Sequence, residues 1–104
     1  MTPESWQPRR GDTLVGTLIL DEIDMFWTDC RFEPGPGWDE VSPLFEALKV
    51  AWQHGGTDER VRADQDIAAQ QMVLVPDDGS EPITGGLLRI HQDRARFRGW
   101  RADA

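Results

Sequence analysis

Helical periodicity is confined to the middle of this chain, and alternation with a period of two lies on both sides of it, a layout that few fold classes accommodate. Residues 12–20, DTLVGTLIL, put Leu14, Gly16, Leu18 and Leu20 on one face and Thr13, Val15, Thr17 and Ile19 on the other. Apolar groups on both sides mark a central strand. The acidic residues 21–24, DEID, read as a turn. Residues 25–32, MFWTDCRF, then resume alternation, with Phe26, Thr28, Cys30 and Phe32 opposite Met25, Trp27, Asp29 and Arg31. A hairpin is expected.

After the loop EPGPG the period becomes 3.6, with Leu44, Phe45, Leu48 and Trp52 on one stripe. Ser42 is placed to cap this helix, Pro43 suits a first helical position, and Gly55 and Gly56 can take the left-handed conformation that stops it. Residues 58–71 predict a second helix. It has good helix formers and i,i+4 pairs Arg60/Asp64 and Arg62/Asp66, but only a thin apolar stripe of Val61, Ile67 and Ala68. Strand pattern returns on either side of the turn residues DDGSEP, so residues 72–90 read as a hairpin. A last strand follows, with Ala95, Phe97 and Gly99 facing away from Arg94, Arg96, Arg98 and Trp100. The order β-β-α-(α)-β-β-β predicts an α+β fold: an antiparallel sheet of about five strands with one or two helices packed on one face.

A chain of 104 residues suits one domain, here residues 12–104. Residues 1–11 hold two prolines and no period, and read as a mobile N-terminal tail unless Trp6 docks. The net charge is −8, with fourteen acids against six bases in residues 1–71. Such a surface repels nucleic acid and anionic membranes, so neither is an expected partner. No apolar run is long enough to span a bilayer. Arg9 and Arg10 precede an apolar run, but Asp12 interrupts it and no small-residue cleavage site follows, which argues against export. The single cysteine needs no oxidising compartment. A cytoplasmic setting is expected.

The strand, glycine loop and helix of residues 31–56 have the outline of a phosphate site. Pro34 and Pro36 remove two backbone donors, Glu33, Asp39 and Glu40 surround the site with negative charge, and no Gly-Lys-Ser/Thr follows. A structural connection is the better reading, with Trp38 plugging the loop into the core. His54 and His91 lack metal-type spacing to Cys or to each other. Paired acids such as Asp77/Asp78 and Asp64/Asp66 are too few for a calcium loop, and Ser5, Ser42 and Ser80 lie outside any nucleophile elbow. No metal or cofactor is expected, and no catalytic motif is recognisable.

The ordered features that remain are a stripe of arginines and a surplus of tryptophan. Arg94, Arg96 and Arg98 either meet an acidic ligand or pair across strands with acids such as Asp29 and Glu33. Of five tryptophans, Trp6, Trp27 and Trp100 are expected to be partly exposed, and Trp is enriched at binding hot spots. Two functions follow. One is a small acidic interaction module that binds a protein partner or itself as a homodimer, through Trp27, Trp100, Arg94, Arg96 and Arg98. The other is a small-molecule binder or modest enzyme with a pocket between helix and sheet, where Cys30 and His91 would have to converge with an Asp.

Overall fold

The computed structural model describes residues 4–84 and 87–98. Its elements are β1 (Ser5–Arg10), β2 (Thr13–Leu14), β3 (Gly16–Asp24), β4 (Trp27–Pro34), α1 (Trp38–His54), α2 (Thr57–Ala68), β5 (Val73–Pro76), β6 (Leu87–His91) and β7 (Arg94–Arg98). The strands form one antiparallel seven-stranded sheet, with β1 followed by β3, β4, β7 and β6, and with β2 and β5 both paired to β1. The fold is therefore α+β, as the sequence pattern implies, with seven strands in place of about five.

The register explains how one face becomes the core. Trp6 lies opposite Leu18, Leu18 opposite Phe32, Cys30 opposite Ala95, and Ala95 opposite Ile90, and all of them are buried. Alternation thus sends one residue in two from each strand into the same interior. The sheet curls round that interior. β1 and β7 are separated by β3 and β4, roughly 14 Å in a flat sheet, yet the rings of Trp6 and Phe97 meet edge to face at 4.9 Å. The two edges, β5 and β6, are not paired to each other among the described residues. Helix α2 lies over that seam, its Ile67 lining the same space as Leu74 of β5 and Leu88 of β6.

The N-terminal stretch departs from expectation. Residues 5–10 are not a tail: Trp6 docks with 5% of its surface exposed, and β1 pairs with β2 and β3 on one side and with β5 on the other. Pro8 obscures this strand in the sequence, but its missing N–H falls where β2 breaks from β3, and its carbonyl still accepts from Val15 N–H at 2.9 Å. β5 pairs with β1 on one edge, and on the other only the bridge Leu74 to Ile83 remains of the hairpin expected over residues 72–90. β6 pairs with β7 instead.

Helix α1 begins at Trp38, more than a turn before the expected cap, and Ser42 and Pro43 lie inside it. The cause is the apolar stripe, which starts at Trp38 and runs through Val41, Phe45, Leu48 and Ala51. Trp38 packs on Phe32 at 4.7 Å and on Phe45 at 5.6 Å, the plug role read from the sequence. Gly37 suits the close approach at the helix start, since a Cβ there would lie 2.4 Å from Thr13 Cγ2 and 3.1 Å from Leu14 O. The stop is also different: Gly55 is extended rather than left-handed, and serves by lacking a Cβ that would sit 2.9 Å from Ala51 O. Helix α2 starts at once, with Glu59 accepting from Gly56 N–H at 2.8 Å.

Candidate functional site

The arginines of β7 are committed to neighbours. Asp29 lies opposite Arg96 in the ladder, and its Oδ1 is 2.9 Å from Arg96 Nε. Arg94 donates to Asp21 at 2.9 Å, which raises its already high pKa. The Arg96 guanidinium lies 4.8 Å from the centre of the half-buried Trp27 ring, and that of Arg98 lies 5.0 Å from Phe26. Arg89, on the edge strand β6, donates to both oxygens of Asp64 at 2.7 and 3.3 Å, while its charged end lies about 6 Å from Trp27 and Trp52. Asp64 is thereby drawn away from Arg60, its expected i,i+4 partner, and Arg60 stacks over Trp52 at 4.8 Å. Trp100 lies outside the described residues, and with it half of the expected two-tryptophan patch.

A crevice of about 480 Å³ between α1 and the β6–β7 pair is lined by Lys49, Arg89, Arg94 and Arg96, an unusual concentration of bases on this acidic chain. Each base already faces a carboxylate: Glu46 for Lys49, Asp64 for Arg89, Asp21 for Arg94 and Asp29 for Arg96. An anionic ligand would have to displace them, and the chain's net charge opposes its approach.

Among the described residues the most exposed apolar side chains lie elsewhere, at the tip of the β3–β4 hairpin. Residues 21–24 are not the turn. The ladder continues to Asp24 opposite Trp27, leaving a two-residue loop of Met25 and Phe26. The acids are tolerated in the strand because the hairpin extends beyond the core, where both faces meet water, and an irregularity between Leu20 and Glu22 accompanies the change. Ile23, Met25 and Phe26 are 60%, 84% and 65% exposed. Met25 has φ +52°, a left-handed conformation that a non-glycine residue adopts at a cost of about 1–2 kcal/mol. The sequence carries a signal for this tip, three large apolar residues interleaved with Asp21, Glu22 and Asp24. It is masked because the same acids resemble a turn.

Cys30 and His91 occupy different places in the ladder. Cys30 is fully buried opposite Ala95, and burial, with the Asp29 carboxylate adding to it, pushes its thiol up to about 12. Such a thiol is protonated and unreactive at neutral pH. His91 is exposed at the end of β6, opposite Arg94. The EPGPG loop has spent its donors internally: Gly35 N–H bonds Val15 O and Gly37 N–H bonds Leu14 O, each at 2.9 Å. Asp78 acts as a turn residue, its carboxyl held below the usual range by hydrogen bonds from Ser80. Among the described residues no three His, Cys, Asp or Glu side chains gather as a metal site, and no helix is long and apolar enough to cross a membrane.

No family model, curated protein or solved structure matches this chain.

Proposed function

We propose that the protein is a small acidic interaction module of the cytoplasm whose recognition element is the tip of the β3–β4 hairpin. The observation that carries this reading is the exposure of Met25 and Phe26 on a two-residue turn whose first position disfavours a bulky side chain. Turns of this kind ordinarily carry Gly, Asn or Asp, at lower conformational cost and with better solvation. Retaining two large apolar groups there is understandable if a partner covers them. Ile23 extends the apolar surface, and Trp27, under Arg96, gives it a base.

The partner is a different, basic protein. Glu22 and Asp24 flank the apolar tip, and the whole chain has a net charge of −8, so the complementary surface is an apolar hollow rimmed by Lys or Arg. The same charge opposes pairing of two copies. Arg94, Arg96 and Arg98 serve as the charged surround of the base, not as the anchors, since two are held by carboxylates and the third stacks on Phe26.

The test is recovery of the partner from the cells that make the protein, with unmodified chain and with the Met25→Ser/Phe26→Ser variant side by side. A basic protein that is retained by the first and lost by the second, with thermal unfolding unchanged, is the expected result. Equal recovery by both contradicts the proposal. Sedimentation of the purified chain should give a monomer; a dimer that dissociates on the same two changes would make a second copy the occupant.

A further inference from the structure

The open seam of the sheet encloses a second and separate feature. Between β5 and β6, beneath α2, lies a cavity of about 540 Å³. Its floor is made by Ile67, Leu74, Leu88 and Phe97, each buried, and its sides by the half-buried Met72 and Ile83. The mouth is formed by the exposed Ala68, Gln71 and Thr84. We infer that this cavity is a binding site for a small, uncharged and mainly apolar molecule.

Three observations carry the inference. The first is origin: β5 is bonded to β1 and β6 to β7, and the other edge of β5 carries only the Leu74–Ile83 bridge, so the two outer strands are not paired to each other among the described residues. The space is therefore part of the topology and not a packing defect left by one small side chain. The second is size and lining. The volume falls within the roughly 300–1,000 Å³ typical of small-molecule sites, and such sites combine apolar walls with a few polar groups at one end. Here Thr84 and Gln71 are those groups. The third is charge. No base lines the cavity among the described residues, and its one acid, Asp64, has both oxygens bonded to Arg89. An ionised ligand would find no free counter-charge inside, so the occupant is neutral. The backbone at the mouth is held in an uncommon conformation, Gln71 having φ +53° where the chain leaves α2 for β5.

The site is distinct from the hairpin tip, and the test separates them. N-phenyl-1-naphthylamine, an uncharged fluorophore that brightens in apolar surroundings, is titrated into the unmodified protein, into Ala68→Trp, which fills the mouth from an exposed helix position, and into Met25→Ser/Phe26→Ser. Saturable binding of one probe per chain is expected, weakened at least about tenfold by Ala68→Trp and unchanged by the tip variant. Methyl resonances of Ile67, Leu74, Ile83 and Leu88 should shift as the unmodified protein saturates, which decides the matter if Ala68→Trp does not fold. The inference is overturned by non-saturable brightening, by methyl shifts that avoid these four residues, or by binding that Ala68→Trp preserves.

Discussion

Two turns of this protein have the same length, the same left-handed first residue and opposite chemistry. Asp24 and Trp27 close a two-residue loop of Met25 and Phe26, while His91 and Arg94 close one of Gln92 and Asp93. The first loop residue is left-handed in both, φ +52° at Met25 and φ +57° at Gln92. Both loops join antiparallel strands of the same sheet, and β4 and β7 are paired to each other. Gln92 and Asp93 are what water and a tight turn favour; Met25 and Phe26 are not. Backbone geometry therefore does not account for the apolar pair. One contact of the pair is internal, the Arg98 guanidinium 5.0 Å from the Phe26 ring; the proposed partner would cover the rest.

The scaffold common to both turns gives the largest expected effect. Phe45 is buried in the cluster that packs α1 against the sheet, so Phe45→Ala should lower stability by about 3–5 kcal/mol. Chemical denaturation measures this, and it should loosen both hairpins alike. Transplanting one turn's residues onto the other comes next. With Met25→Gln and Phe26→Asp the chain should lose partner affinity by at least about tenfold, or 1.4 kcal/mol. Its unfolding free energy should change by no more than about 0.5 kcal/mol, as for other surface substitutions. A large loss of stability would mean that the apolar pair supports the fold, and the comparison would break. The smallest effect sharpens it: Met25→Gly and Gln92→Gly each relieve a left-handed side chain at about 1–2 kcal/mol, offset by about 0.4–1 kcal/mol of unfolded-state entropy. Both should stabilise slightly and by similar amounts. Unequal gains would show that the two turns are not equivalent.

Much of the scaffold is legible in the sequence, and what is not has physical causes. Alternation places Leu18, Cys30, Phe32, Ala95 and Phe97 on interior faces, and the spacing of Phe45 and Leu48 identifies the buried side of α1. Those signals are local. The pairing of β5 with β1 joins residues 73–76 to residues 6–9, and no local pattern shows it; Pro8 even hides that residues 5–10 are a strand. The start of α1 was obscured because Ser42 and Pro43 have the chemistry of a helix beginning, while the packing of Trp38 on Phe32 moves the beginning back to Gly37. Of the residues singled out for function, Trp27 and the three arginines do gather in one region, with the arginines already engaged by Asp21, Asp29 and Phe26. The hairpin tip and the seam cavity both escaped. The first depends on how far a ladder continues past its core, and the second on two strands that fail to meet.

The central claim is that the Met25–Phe26 turn is covered by a partner and the Gln92–Asp93 turn is not. Photoreactive side chains placed at position 25 and, in a separate sample, at position 92 put identical chemistry on the left-handed first residue of two turns of equal length. On irradiation in the cells that make the protein, position 25 should yield one adduct with a single basic protein, and position 92 should yield none. Equal labelling from both positions, or no adduct from position 25, would contradict the account.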